Sequence, residues 1–466
     1  MFVGYFLWLF LSRITSPEVI GISSTIISIA VIFSVIVDLG VSRGSTRSLG
    51  KSFSDGQIND ARVYVRASII LVCSSIAVCT LAIVVFRDHI YPSVPLDLVL
   101  TSILLVGATA VFNLMRSFLI ASLQTQRLPL IMVMSSVFKV TLTVILILLG
   151  TGAIGITTGY LSAYLSAIIF LFFTLVKILK PLEQKTTVSI FYACKTILHA
   201  SVASWVPKAI AVLGTRLGTI IVYGIEGASQ AGFYFIAYSI FYAIAAVADS
   251  LFSVSFPILS AMDDQRKRFV WRMIKISMIV ILPISSVTVA YSNEIMSLFG
   301  PEYIQGSISL KIMSLSMIAF VFNTALSTLV YSYGNYQQVL AIGLGSSVSR
   351  IVSYFVLVPI YGITGAAVSF AVGSIIGFAV SVVIAKRIRM LLFGRDLTLI
   401  FIIPTGVSFF LEYFQITYSI GIPVILILPP LLFIGLRILS KSDMHDSLAV
   451  LPERIGRPLI SILNKL

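Results

Sequence analysis

Apolar runs of about twenty residues recur along the whole of this sequence. A bilayer core about 30 Å thick is crossed by about 20 helical residues, and such a segment carries few charges. The chain is 58% hydrophobic and 11% charged, whereas soluble domains carry about a quarter charged residues. The sequence therefore predicts an all-α polytopic membrane protein. It excludes a soluble enzyme, and also a β-barrel, whose alternating strands contain no long apolar runs.

Fourteen candidate transmembrane spans can be delimited in the 466 residues. They lie at approximately 1–12, 20–40, 63–86, 98–122, 130–149, 153–179, 197–222, 230–259, 270–292, 306–331, 338–358, 361–385, 397–414 and 420–439. The first is shorter than the bilayer core requires, since each helical residue rises only about 1.5 Å.

The net charge of +14 would suggest nucleic-acid binding in a soluble protein, but here the cations follow a membrane topology. One set of alternate loops, together with the C-terminal tail, contains 23 Lys and Arg, and the other set contains only Arg13 and Arg87. Cytoplasmic loops collect Lys and Arg. We therefore predict a multi-pass protein of the cytoplasmic membrane with both termini inside and no nucleic-acid partner. Residues 441–466 are predicted to form a cytoplasmic amphipathic tail.

The sequence repeats itself at an interval close to 211 residues. Residues 135–139 (SSVFK) match 346–350 (SSVSR), and further matches follow in the same order: Gly21 with Gly232, Asp38 with Asp249, 111–113 with 321–323 and 155–157 with 362–364. Equivalent positions are six helices apart, and six is even, so the halves are parallel repeats. We predict an N-terminal six-helix lobe at 1–180, a C-terminal six-helix lobe at 196–388 and an extra transmembrane hairpin at 397–440. Two such lobes enclose a cleft where transporters place their substrate.

Seven cations fall within the predicted spans. Two of them, Arg66 and Lys311, lie near span ends and can extend to the membrane surface. The other five lie deeper: Lys139, Arg350, Lys208, Arg216 and Arg116.

We expect the five deep cations to lack an acidic partner at their own depth, because Asp38 and Asp249 lie near the cytoplasmic ends of their spans. A cation at the bilayer centre costs at least about 2.5–3.5 kcal/mol. Either these side chains contact carbonyls or cavity water, or the missing anion belongs to a ligand. The second interpretation predicts a binding site for an anionic headgroup, with Lys139 and Arg350 first because the repeat places them symmetrically.

Other polar residues in the spans have two interpretations each. Asn113 and Asn323 either add hydrogen bonds to the same ligand or form interhelical polar contacts. Asp38 and Asp249 are predicted to form a gate or a salt bridge to a basic loop rather than an ion-coupling site. Pro207 is expected to break the seventh span next to Lys208, since proline removes a backbone donor.

Enzyme motifs are absent from the sequence. There is no phosphate-binding loop of an ATP-driven pump, and the three histidines are scattered, so neither a metal site nor a cofactor is predicted. The predicted outer loops are short and carry few acids, which disfavours a membrane glycosyltransferase or polymerase. A structural scaffold would not explain unpaired charge at the bilayer centre.

Several short motifs, taken in order over residues 1 to about 388, resemble the Wzx-type polysaccharide-biosynthesis flippases of the multidrug/oligosaccharidyl-lipid/polysaccharide (MOP) exporter superfamily. They are 16–21 (SPEVIG), 38–40 (DLG), 232–234 (GFY), 256–260 (FPILS), 298–303 (LFGPEY) and 359–367 (PIYGITGAA).

The resemblance implies two six-helix lobes in a V-shaped, MATE-like arrangement, a cationic central cavity and alternating access. The implied cargo is a polyprenyl-phosphate-linked or pyrophosphate-linked oligosaccharide, moved to the outer leaflet for polysaccharide, O-antigen or other surface glycan synthesis. Membrane lipids and the glycan polymerase or glycosyltransferases of the same pathway are the implied partners. A cation-coupled multidrug exporter of the same superfamily is the alternative, although it would favour acids over cations in the cavity.

Overall fold

The computed structural model describes residues 2–55, 57–90, 94–178, 188–262, 264–390, 394–436 and 438. Helices account for nearly all of these residues, and no strand occurs among them. The predicted all-α membrane fold is therefore confirmed. The predicted amphipathic tail at 441–466 lies outside the described residues.

The first compact unit comprises Phe2–Phe235 and Tyr354–Ile363. Its helices are α1 (Phe2–Ile14), α2 (Pro17–Asp38), α3 (Val41–Ser54), α4 (Ile58–Val85), α5 (Arg87–Ile90), α6 (Leu96–Ala121), α7 (Leu128–Leu148), α8 (Ala153–Ile178), α9 (Ile190–Glu226) and the first turns of α10 (Ala228–Ala261). A 3₁₀ turn, Thr125–Arg127, precedes α7.

The second unit comprises Ile236–Ser353 and the chain from Thr364 onward. It contains the rest of α10, followed by α11 (Arg266–Ala290), α12 (Ser292–Ser297), α13 (Ser307–Leu315), α14 (Met317–Ser332), most of α15 (Tyr336–Arg387), α16 (Gly394–Tyr413) and α17 (Tyr418–Gly435). The predicted lobe limits at 1–180 and 196–388 remain a prediction. The boundary between the compact units lies inside α10. The preceding helix, α9, belongs to the first unit because it packs against α2, α3 and α4.

Ten described helices are long and apolar enough to cross a membrane, or eleven if α13 and α14, which are bent by 44°, form one broken span with the 3₁₀ turn before them. The predicted count of fourteen is therefore not confirmed. The helix α15 explains part of the difference. This element of 52 residues counts once among the ten, although Gly362 inside it has non-helical dihedral angles (φ 54°, ψ −134°) and joins two helices, as the two predicted spans at 338–358 and 361–385 require. The short helices α1 and α17 cover the first and last predicted spans.

The start of α2 shows how local sequence fixes a helix boundary. The Ser16 side chain accepts a hydrogen bond from the Val19 backbone N–H, and Pro17 occupies the first helical turn, where its missing N–H costs nothing. The helix ends at Leu39 and Gly40, both with positive φ. This sharp turn starts α3 immediately after the membrane span.

The N-terminal ends of α2 and α10 cross without intervening side chains. A Cβ built on Gly21 would collide with the Ala228 carbonyl oxygen, and one built on Gly232 would collide with the Pro17 carbonyl oxygen. The repeat pairs Gly21 with Gly232, and the same interval of 211 relates Pro17 to Ala228. The crossing is therefore reciprocal: the glycine of each helix faces the carbonyl group four residues before the glycine of the other helix. Contacts across a two-fold axis have this pattern. Small residues permit this approach of two membrane helices.

The closeness of this crossing predicts that Gly21→Ala destabilises the protein by roughly 1–3 kcal/mol, because the new methyl group overlaps a backbone carbonyl that cannot rotate away. The matched control is Gly224→Ala in α9, since a Cβ there meets nothing within 4 Å. Thermal unfolding of the purified protein measures both. Equal melting temperatures for the two variants would contradict the tight crossing.

Candidate functional site

Lys139, on α7, lies among aromatic side chains of the first unit. Its Nζ is 4.7 Å from the centre of the Tyr160 ring on α8, a cation–π contact. A Cβ built on Gly4 of α1 would be 4.0 Å from the same Nζ, an ordinary van der Waals distance, so α1 passes close to the ammonium group. Lys139 is half-buried.

Tyr160 connects Lys139 to a second predicted cation. The buried Trp8 indole N–H donates a hydrogen bond to the Tyr160 hydroxyl, and Arg216 of α9 interacts electrostatically with Tyr160 and Tyr164. Tyr164 lies one helical turn after Tyr160. We call Lys139, Arg216, Tyr160, Tyr164 and Trp8 the Tyr160 cluster.

The Tyr160 cluster has the chemistry of an anion site. Among the described residues, no carboxylate lies within ion-pair distance of Lys139 or Arg216. Lysine supplies a compact point charge, and arginine supplies a planar fork of donors that fits phosphate bidentately. Two uncompensated cations and two phenol groups can therefore bind a multiply charged phosphate or diphosphate.

Lys208, unlike Lys139 and Arg216, has a carboxylate partner. Its Nζ lies 3.3 Å from Asp38 Oδ2, so the expectation that Lys208 lacks an acidic partner is wrong. The carboxylate also accepts hydrogen bonds from the Ser42 backbone N–H and hydroxyl in the first turn of α3. Sequence position alone places Asp38 near a membrane face, whereas the fold brings α9 across the end of α2. The predicted bond to a basic loop is replaced by this interhelical pair.

Pro207 does not break its helix, because α9 runs continuously from Ile190 to Glu226. Proline removes a single backbone donor, and membrane helices tolerate the loss where neighbouring groups compensate for it. The predicted helix break is therefore wrong.

Arg350 is 5% exposed and is packed inside the second unit. Its guanidinium lies 3.9 Å from the centre of the Phe370 ring and donates to the Ser374 hydroxyl at 3.1 Å. Both partners are on the later half of α15, so Arg350 joins the two halves of this helix. A Cβ on Gly373 would clash with the arginine side chain, which shows how closely it is enclosed. Its role in ligand binding stays a prediction.

The two predicted asparagines have different surroundings. Asn323 donates to the Ser374 carbonyl at 3.0 Å and accepts from the Ser381 hydroxyl at 2.8 Å, which is an interhelical contact between α14 and α15. Asn113 is half-buried on α6, and Arg116, one turn later, is exposed. Neither residue has a hydrogen bond or ion pair with the described part of the chain. Their helix nevertheless adjoins the Tyr160 cluster, because the Phe112 ring next to Asn113 lies 5.5 Å from the Tyr164 ring.

Asp249 is half-buried and hydrogen-bonded to Thr324. No cation of the described chain forms an ion pair with it. Within the same range, no three metal-ligating side chains come together. Asp249 is therefore an isolated carboxylate of the second unit.

Sequence reasoning missed several side chains that contact the predicted charged residues. Tyr160 and Tyr164 lie four residues apart in the sixth predicted span, a spacing that places both on one helix face, and this signal was available. Glu412 could not have been found, because only the fold brings it to 2.6 Å from Lys311 Nζ, 101 positions away in sequence.

A family model described as "Polysaccharide biosynthesis protein" matches residues 2–263. No curated protein sequence matches the chain at comparable significance.

Three solved structures show the same fold. The lipid II flippase MurJ in an inward closed conformation has a TM-score of 0.72 and 14% identity, covering 94% of this chain and 97% of its own. An inward-facing multidrug resistance MATE family transporter of the MOP superfamily has a TM-score of 0.65 and 15% identity, covering 83% and 94%. An outward-facing structure of a MATE family transporter has a TM-score of 0.53 and 15% identity, covering 82% and 95%.

The Lys208–Asp38 pair predicts an energetic coupling. Asp38→Asn should destabilise the protein by roughly 1–3 kcal/mol, which is less than the 3–5 kcal/mol of a fully buried pair because Lys208 is partly exposed. The double variant Asp38→Asn with Lys208→Met should recover part of this loss, since no unpaired charge remains. Thermal unfolding of the two single variants and the double variant measures the coupling. The coupling would be contradicted if the loss of stability in the double variant equalled the sum of the losses in the two single variants.

Proposed function

The chain belongs to the polysaccharide biosynthesis protein family, and on this premise we propose that it is a lipid-linked oligosaccharide flippase. The proposed cargo is an oligosaccharide linked to a polyprenyl phosphate or pyrophosphate. It moves from the cytoplasmic to the outer leaflet by alternating access. We place the protein in the cytoplasmic membrane with both termini inside, supplied by glycosyltransferases of the same pathway.

The observation that carries this proposal is the pair of uncompensated cations in the Tyr160 cluster. A charge in a membrane is retained only with a counter-charge or a water-filled surrounding. Lys139 and Arg216 have no counter-charge within the described chain. A lipid-linked phosphate or diphosphate supplies the missing anion, and its isoprenoid chain remains in the hydrocarbon region.

The predicted cations differ in how much each contributes to phosphate binding in this proposal. Lys139 and Arg216 bind the phosphate group. Lys208 is partly neutralised by Asp38 and contributes less. Arg350 is already enclosed by Phe370 and Ser374, so it would have to leave these partners to reach a ligand.

A cation-coupled drug exporter remains the second candidate, and a specific observation favours it. Asp249 is an acid in the membrane region without a cationic partner among the described residues, and an acid of this kind suits a cationic drug or a coupling ion. The MATE transporters that share the fold are described as multidrug resistance proteins. Transport of a cationic dye in vesicles, lost in Asp249→Asn and unchanged in Lys139→Gln, would favour this candidate.

The flippase proposal predicts a loss of transfer when the cluster charges are removed. Lys139→Gln and Arg216→Gln should each slow transfer about tenfold or more, because one charge-assisted hydrogen bond contributes roughly 1.5–3 kcal/mol. The assay follows a polyprenyl-diphosphate-linked oligosaccharide in proteoliposomes, where a membrane-impermeant lectin detects the sugar on the outer side.

Arg66→Gln on α4 is the control, since this cation is exposed and outside the cluster. Lys139→Arg should retain more activity than Lys139→Gln. Undiminished transfer in the Lys139→Gln/Arg216→Gln double variant would refute the site.

A further inference from the structure

The helix α3 carries cations at every fourth position. Arg43, Arg47 and Lys51 are all exposed, and positions four apart lie on the same helix face. The helix itself contains no acid. We call these three residues the cationic face of α3.

The start and the buried side of α3 pack closely against other helices. A Cβ on Gly40 would contact the Ser201 carbonyl oxygen of α9 at 2.7 Å, and one on Gly44 would contact the Ile197 carbonyl oxygen at 2.6 Å. The Ser45 hydroxyl is hydrogen-bonded to Ser68 of α4 at 2.6 Å. These contacts leave α3 no room to rotate, so its cationic face stays turned outward.

The position of α3 in the chain places it at a membrane surface. It directly follows the candidate span Pro17–Asp38 and precedes the candidate span Asn59–Val85. A short polar helix that joins two consecutive spans lies where both spans leave the hydrocarbon region. The charge pattern predicts that this is the cytoplasmic surface.

The three cations are not neutralised within the described chain. None of them forms an ion pair there, and Asp55, four residues after Lys51, is not within ion-pair distance. Like charges four residues apart destabilise a helix. An external anion that lies along the helix removes this repulsion.

We propose that the cationic face of α3 binds the headgroups of anionic phospholipids in the adjacent leaflet. Eight residues of helix separate Arg43 from Lys51, a rise of about 12 Å, which exceeds a single phosphate and suits neighbouring headgroups. The exposed face presents no aromatic side chain of the kind that anchors protein partners. Juxtamembrane clusters of Lys and Arg bind anionic lipid in this way.

The test uses the full chain in nanodiscs of phosphatidylcholine with a small fraction of phosphatidylglycerol. Native mass spectrometry counts the phosphatidylglycerol molecules that remain bound. The triple variant Arg43→Gln/Arg47→Gln/Lys51→Gln should lower the apparent affinity roughly tenfold or more. The variant Arg43→Lys/Arg47→Lys should bind as the parent does, because the headgroup requires charge alone.

A matched control removes three exposed cations elsewhere, with Lys386→Gln/Arg387→Gln/Arg389→Gln at the end of α15. The proposal requires that the α3 variant loses bound phosphatidylglycerol and that the control variant retains it. If the α3 variant and the control variant retained the same amount of phosphatidylglycerol, or lost the same amount, the proposal would be overturned. Unchanged lipid binding with reduced oligosaccharide transfer in the α3 variant would also overturn it, and would indicate a different occupant of this face. Lipid counting needs no transport, so its result is independent of the proposed cargo.

Discussion

The low dielectric constant of a membrane makes every buried charge expensive, and the fold handles its charges in three ways. Lys208 and Lys311 are each matched by a carboxylate, from Asp38 and Glu412. Arg350 is enclosed by an aromatic ring and a hydroxyl. Lys139 and Arg216 share an aromatic surrounding without any acid among the described residues. We propose that the last arrangement binds an outside anion, and the proposed transport function depends on it.

The helical membrane fold could be predicted from the sequence because apolar runs and breaks between them are local signals. The position of α2 follows from Ser16 and Pro17, which fix its start. The family resemblance is confirmed by the matching family model and by the shared fold. The number of spans is harder to predict, because α13 is bent against α14 and the apolar helices α1 and α17 are short.

The candidate site was predictable only in part, for a physical reason. Sequence identifies which charges enter the membrane, but the partner of each charge depends on contacts between distant helices. Asp38 and Lys208 are 170 positions apart, and no local pattern joins them. Arg350 and Lys139 occupy equivalent repeat positions, yet Arg350 is buried against Phe370 and Lys139 is half-buried against Tyr160. The repeat preserves the position of a cation and not its surroundings.

The reciprocal contact between Pro17–Gly21 and Ala228–Gly232 has a consequence for the origin of the molecule. A surface that meets its own copy across a two-fold axis needs only one gene to form, since each change in sequence alters both sides at once. A six-helix ancestor bearing this glycine could therefore have associated with a second copy of itself before duplication and fusion. In the single chain the two glycines can change independently, but neither position has room for a methyl group.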